Sequence, residues 1–276
     1  MNVYLLVIIL AAAQGVAEFL PVSSSGHLLV LGDWFGFDAE DNMTLNVVLH
    51  SGTLLAILVF YFRRILSILL EKSRRRLIWL VIIGSVPAAA VGVTLKACKL
   101  DKVIFSSPWV AAAGFLITGT MLLTVFGVPW KKPADEPEDA GDPCEKMSLK
   151  QALLIGCAQA MAITPGISRS GSTITAGVLS KLRKADAAEF SFLLAIPAIG
   201  GAAVLELADM LKENSAGAME QDWALFGCGF IVAAVVGYAS LAGLIAMLKK
   251  GKLGWFGCYL YVAAIAVAVV QLTELF

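Results

Sequence analysis

Two short stretches of this chain carry most of its reactive side chains. The first, EFLPVSSSGH at 18–27, places Glu18 six residues before Ser24 and nine before His27, with Gln14 one helical turn ahead of Glu18. The second, PGISRSGST at 165–173, surrounds a single arginine, Arg169, with Gly166, Ser168, Ser170, Gly171, Ser172 and Thr173. A serine hydroxyl becomes a nucleophile only beside a base. The first stretch offers two bases, Glu18 and His27, close to Ser23, Ser24 and Ser25. Glycine-rich turns that open into helices present unpaired N–H groups suited to phosphate oxygens, and a guanidinium adds a bidentate contact. Gln14, Ser23, Ser25, Gly26, Gly166, Ser168, Ser170, Gly171 and Thr173 are therefore read as an anion cradle around Glu18, Ser24, His27 and Arg169. Spacing alone does not choose among the serines. The plain alternative is that Arg169 and Glu18 form a structural ion pair and that each hydroxyl serves interhelical bonding. One ion pair, however, does not require so many hydroxyls and glycines.

The elements that hold these residues must live in lipid. Of 276 residues, 59% are apolar and 15% charged, and the mean hydropathy is +0.82. Soluble domains run at roughly 45–50% apolar and about 25% charged. The excess marks an integral membrane protein whose surroundings are membrane lipids. With 21 basic and 21 acidic residues and no basic face, the chain carries no electrostatic footprint for nucleic acid. Five scattered cysteines without ligand spacing support neither a disulfide framework nor a zinc site. The apolar N-terminus lacks the positive flank of a signal peptide, since the first basic residue is Arg63, and is expected to remain on the mature protein.

Apolar runs at 46–62, 77–95, 109–126, 189–208, 224–248 and 254–273 are long enough to cross a bilayer, giving six full spans. Residues 1–31 and 151–180 are also apolar, but Pro, Gly and serines break each near its middle, so each reads as two half-helices that re-enter the membrane. Basic residues test this topology. Six lie at 63–76, four at 127–150, three at 181–188 and three at 249–253, against only Lys96, Lys99, Lys102 and Lys212 in the alternate loops. That alternation works only if both broken segments return to the side they entered.

A self-comparison aligns AQGVAEFLPVSSSGH at 13–27 with AQAMAITPGISRSGS at 158–172, an offset of 145. Three spans follow the broken segment each time, so the halves insert upside down relative to each other, as in many transporters. The expected architecture is thus all-α: a first repeat at 1–128, a cytoplasmic Pro- and acid-rich linker at 129–150, and an inverted second repeat at 151–276. Each repeat would contribute one re-entrant helix–loop–helix to the centre.

Arg169 is the one cation left within this apolar frame, and Glu206 is a further acid inside a span. Burying an uncompensated arginine at the bilayer centre costs at least ~2.5–3.5 kcal/mol, so such charges mark function and demand a partner. Glu18 and His27 stand at the matching depth of the other repeat.

The motifs EFLPVSSSGH and PGISRSGST, with AAEFSFLLAIP at 187–197 and the span pattern, resemble the undecaprenyl pyrophosphate phosphatase family, also called BacA or UppP. The likeness covers almost the whole chain. It implies a multi-pass phosphatase of the bacterial plasma membrane that removes the terminal phosphate of undecaprenyl pyrophosphate, recycling the lipid carrier for peptidoglycan and other envelope glycans, with a link to bacitracin resistance. Carried over by motif, the functional residues are Glu18, Ser24, His27, Ser168, Arg169, Ser170 and Thr173. The family often has glutamate where this chain has Gln14, so an acid–base or metal role at that position is in doubt, and Gln14→Glu is expected to be mild. The resemblance also implies a divalent cation, Mg2+ or Ca2+, arriving with the substrate, with Glu18 its protein ligand, and no organic cofactor. A homodimer is compatible with this reading, and the family favours a site open to the outer face. Ser24 attacking phosphorus with Glu18 or His27 as base, and direct attack by His27, both remain open. A transporter of phosphate-bearing lipids or anions is the alternative from the inverted repeat, and an intramembrane serine protease would leave Arg169 unexplained.

Overall fold

A computed structural model describes residues 2–35, 43–98, 100, 107–128, 143–213 and 223–273; the side chains of residues 35, 43, 44 and 206–213, Glu206 among them, lie outside the described set, as does most of the 129–150 linker. The described residues form eleven α-helices: α1 Val3–Phe19, α2 Ser24–Phe35, α3 Met43–Phe60, α4 Phe62–Leu70, α5 Arg76–Ala97, α6 Pro108–Phe126, α7 Leu149–Met161, α8 Arg169–Leu179, α9 Lys184–Glu213, α10 Trp223–Lys249 and α11 Gly254–Thr273. The protein is an all-α integral membrane protein. Five of its helices are long and apolar enough to cross a bilayer unaided, within Lys72–Ala97, Pro108–Phe126, Lys184–Leu205, Trp223–Lys249 and Gly254–Thr273.

The span expected at 46–62 differs in form. Its helix bends by 67° where α3 gives way to α4. Tyr61 sits at the bend with its ring buried against Phe192, centroids 6.2 Å apart. Just beyond it Arg64 Nε donates to Glu189 at 2.7 Å. An anchored aromatic followed closely by the bonded Arg64 turns the chain out of its apolar course. The basic stretch 63–76, expected as a loop, is consequently α4 and a short 3₁₀ turn at Lys72–Arg74.

Both broken segments break where the sequence places their prolines. α1 begins with Asn2 accepting the Tyr4 N–H at 2.9 Å and ends at Leu20, which is extended because Pro21 follows. α7 starts from a Ser148–Gln151 capping box, and α8 from Ser168, whose Oγ accepts the Gly171 N–H at 3.1 Å. The two helices of each segment pack on one another.

Helices of residues 1–128 pack mainly on helices of residues 151–276. α1 and α3 lie on α10, α5 on α7, and α6 on α11. Without a hydrophobic driving force between helices in lipid, small residues must let backbones approach. A Cβ on Gly15 would stand 2.9 Å from Gly237 N, and one on Gly156 only 2.1 Å from Gly84 O. Outward-facing Trp79, Val86, Ile231 and Val262 are exposed, as lipid-facing residues must be.

Candidate active site

The two breaks, 145 residues apart in sequence, lie against each other. Gly26, in the first turn of α2, is so close to Gly166 that a Cβ on it would stand 2.8 Å from Gly166 Cα. Ser170 Oγ donates across to the Leu20 carbonyl at 3.2 Å. Gly166 has φ +85, and a Cβ there would fall 2.1 Å from Ala111 O, so both its conformation and its contact with α6 demand glycine. From α6, Thr118 Oγ1 donates to Gly166 O at 3.1 Å and accepts from Ser168 N–H at 3.0 Å, pinning the second break.

Where the breaks meet, α1 and α8 deliver a carboxylate and a guanidinium to each other. Arg169 Nη2 donates to Glu18 Oε1 at 2.6 Å. Oε2 accepts from Ser24 Oγ at 2.7 Å and from Gln14 Nε2 at 3.1 Å. Side chains of Glu18 and Arg169 are 7% and 15% exposed, so the pair is sheltered rather than screened by solvent. A hydroxyl whose proton already points at a carboxylate is the nucleophile–base arrangement that Ser24 needed.

Behind Arg169, Thr173 Oγ1 donates to the Arg169 carbonyl at 2.8 Å and shares a hydrogen with Ser191 Oγ at 2.5 Å. Arg169 Nη1 donates to the Ser191 carbonyl at 3.5 Å, and the guanidinium carbon lies 6.0 Å from the Phe192 ring centre. Ser191 and Phe192 were missed as site residues, although AAEFSFLLAIP contains both.

Gln14, Glu18, Ser24 and Arg169 thus form one bonded network, with Thr173 supporting it. The remaining cradle residues shape the breaks. Ser23, at φ +69, caps Gly26 N–H at 3.3 Å and pairs with Ser25 Oγ at 3.3 Å. Ser168 caps α8 through Gly171, leaving its hydroxyl 3.2 Å from Ser170 Oγ. His27 points elsewhere: Nδ1 bonds the Ser23 carbonyl at 2.8 Å, Nε2 bonds Tyr259 OH at 2.7 Å, and its ring stacks on Tyr259. The histidine that does reach Glu18 is His50 of α3, with Nε2 4.0 Å from Oε2 and Nδ1 on the Asn46 carbonyl at 2.9 Å. Its signal was available, for it is one of two histidines in the chain and stands inside an apolar span.

A resident divalent cation fits these residues poorly. Mg2+ or Ca2+ needs at least six oxygens. Both Glu18 oxygens are already bonded, one of them to a guanidinium, and the spare acceptor is Gln14 Oε1, buried without a partner. Elsewhere among the described residues, donor atoms of Cys144, Glu145 and Asp186 lie within 4.8 Å of one another. Two of those are held by arginines, Glu145 by Arg64 and Asp186 by Arg183.

Comparison with known proteins decides the family. The family model described as bacitracin resistance protein BacA matches residues 7–266. The chain belongs to this family. It is 42% identical to an undecaprenyl-diphosphatase of Rhodopirellula baltica, over 96% of this chain and 97% of that one. A protein of the same description from Carboxydothermus hydrogenoformans is 38% identical, with 96% of each chain covered. Another from Rubrobacter xylanophilus is 37% identical over 96% of this chain and 97% of its own. The residues matched by the family model contain both motifs.

Proposed function

We propose that this chain is an undecaprenyl-diphosphatase, releasing the terminal phosphate of undecaprenyl pyrophosphate and thereby depriving bacitracin of its lipid target. The observation that carries the reading is the Glu18 carboxylate held between Arg169 Nη2 at 2.6 Å and Ser24 Oγ at 2.7 Å. Phosphoryl transfer gains chiefly from positioning and charge stabilisation. Arg169 supplies the charge, exchanging Glu18 for the incoming phosphate oxygens. Ser24 Oγ attacks the terminal phosphorus, its proton passes to Glu18, and the bond from phosphorus to the bridging oxygen breaks, leaving undecaprenyl phosphate and a phosphoseryl enzyme that water hydrolyses. His27, with both ring nitrogens engaged, positions the first break and is not the nucleophile. Any divalent cation is carried in on pyrophosphate oxygens with its own waters; until the substrate draws Arg169 away, Glu18 has no free oxygen to offer it.

The site is assembled from inverted repeats at 1–128 and 151–276, each giving one re-entrant segment in a bacterial plasma membrane. Supporting this, α7 packs on α5 as α1 packs on α10, with the helices in equivalent places. The linker side is cytoplasmic and the site opens outward. Three of the basic stretches meet on one face, where Arg64 bonds Glu145 and Glu189, Arg76 Nη1 bonds the Glu145 carbonyl, and the Cys144 N–H bonds Asp186.

Purified protein in detergent should release phosphate from undecaprenyl pyrophosphate, and Ser24→Ala should abolish it. Acid quench within the first turnover should trap label on Ser24. Label on His27, or no covalent species at all, would overturn the serine pathway.

A further inference from the structure

Glu18 alone can serve both half-reactions only if it passes the serine's proton to the departing undecaprenyl phosphate before water attacks. A second group beside it with a free lone pair would take the water's proton while Glu18 keeps the serine's for Ser24 Oγ.

His27 does not meet that need, since both of its ring nitrogens are bonded, to the Ser23 carbonyl and to Tyr259 OH. His50 does. Its Nδ1 faces the Asn46 carbonyl at 2.9 Å, and a carbonyl only accepts, so the ring proton is on Nδ1. The Nε2 lone pair is left pointing into the site, 4.0 Å from Glu18 Oε2. That separation is too long for a direct hydrogen bond and suits one water bonded at Nε2 beside the carboxylate. The side chain is 32% exposed, against 7% for Glu18, so the imidazole is the less enclosed of the two. Glu18 of α1 and Arg169 of α8 are the ionisable groups clustered with it, and α9 faces the cluster with Ser191 and Phe192.

We propose that His50 is a further catalytic residue, the base that holds and deprotonates the water which hydrolyses the phosphoseryl intermediate. This rests on the phosphatase reading above. The water oxygen forms its bond to phosphorus as its proton moves to His50 Nε2. The phosphorus–Oγ bond breaks, and Ser24 Oγ recovers its proton from Glu18. Inorganic phosphate leaves, and His50 releases its proton to solvent, restoring the starting state.

The two half-reactions can be read separately with terminally labelled undecaprenyl pyrophosphate and the full-length protein in detergent. In His50→Ala the burst that forms labelled enzyme should keep its wild-type rate, while loss of label slows by about 10²–10⁴-fold, so phosphoenzyme accumulates. Added imidazole should restore part of the hydrolysis. His50→Gln, which keeps an acceptor but no base, should also accumulate label. Wild-type dephosphorylation in either variant, or equal slowing of both phases, would overturn the assignment. Thermal unfolding of both variants separates a folding defect from a chemical one, and an unfolded alanine variant leaves the glutamine variant to decide. Transient label on wild-type Ser24 without accumulation in the variants sinks the role of His50 alone. Absence of phosphate release from the wild type sinks the phosphatase reading instead.

Discussion

Removing the arginine at the centre of the site should separate its structural role, compensating a buried carboxylate, from the phosphate binding proposed for it. Arg169 and Glu18 side chains are 15% and 7% exposed and meet at 2.6 Å. Deleting one partner of such a pair strands the other charge and costs about 3–5 kcal/mol, whereas replacing both with neutral groups of similar size is often neutral or stabilising. Arg169→Met alone should therefore lower the unfolding free energy by ~3–5 kcal/mol, and Glu18→Gln combined with Arg169→Met should recover most of that loss. Activity should not follow stability. The single variant loses the guanidinium bonded to Glu18, an effect of order 10³–10⁵ in turnover for arginines that stabilise a transferring phosphoryl group. The double variant should be at least as inactive, because the base proposed for Ser24 is also gone. Arg169→Lys restores charge but offers one nitrogen where the guanidinium uses Nη1 toward Ser191 and Nη2 toward Glu18, so it should regain stability and little turnover. Equilibrium unfolding in detergent and phosphate release on the same preparations supply both readouts. A stability loss below ~1 kcal/mol in Arg169→Met, or measurable turnover in the double variant, would refute the reasoning.

Four other expectations bear on the supports of the site and on the basic face. Gly114→Ala would put a Cβ 2.4 Å from the Pro165 carbonyl and should destabilise by at least ~1–3 kcal/mol in the same unfolding assay, while Gly201→Ala, with nothing within 4 Å, should be neutral or slightly stabilising. Ser191→Ala removes the hydroxyl partner of Thr173 but leaves the carbonyl that receives Arg169, so kcat/KM should fall by no more than about tenfold, the worth of one hydrogen bond. On the basic face, burial and then Glu189 and Glu145 push the Cys144 thiol up, so at neutral pH a maleimide should modify exposed Cys98 well before Cys144. The Glu145 carboxyl is held below its usual range by its hydrogen bond from Arg64. A depressed folded value means the contact contributes above about pH 4.3 and is lost as pH falls through that lower value. Acidification should accordingly lower the amide protection of Cys144, and Glu145→Gln should reproduce the effect at neutral pH.

Much of the fold was legible because lipid leaves few options: apolar runs of sufficient length must be helices. Five of the six expected spans are unbroken helices. The sixth bends because Tyr61 is fixed by ring packing and Arg64 by ion pairs, which are contacts with distant residues such as Phe192 and Glu189 and leave no local mark on the 46–62 run. At the site, Glu18, Ser24 and Arg169 stood out by residue type in an apolar setting, and the repeat offered Glu18 and His27 as partners for Arg169, of which Glu18 is the one bonded to it. His27 was weighted for its nearness in sequence to Ser24. What sequence nearness cannot convey is the direction of a ring, and here Nδ1 is turned to the Ser23 carbonyl and Nε2 to Tyr259 of α11. His50, 26 residues from Ser24, reaches the same carboxylate because α3 packs on α1.

The helix pairing also explains how so polar a cluster can persist at membrane depth. No single helix could carry Arg169 into lipid without compensation, since an arginine at the centre costs at least ~2.5–3.5 kcal/mol on insertion scales. Its partner Glu18 lies 151 residues away, on α1, and α1 is seated chiefly on α10, a helix from the arginine's own end of the chain. α6, from the glutamate's end, in turn braces the arginine's break through Thr118. Each charge is thus held by scaffold from the other half, and neither half presents a satisfied pair before both have docked. Docking the halves and joining Glu18 to Arg169 are therefore one event, and the small residues that let α1 approach α10 and α5 approach α7, among them Gly15, Gly237, Gly84 and Gly156, serve that pairing.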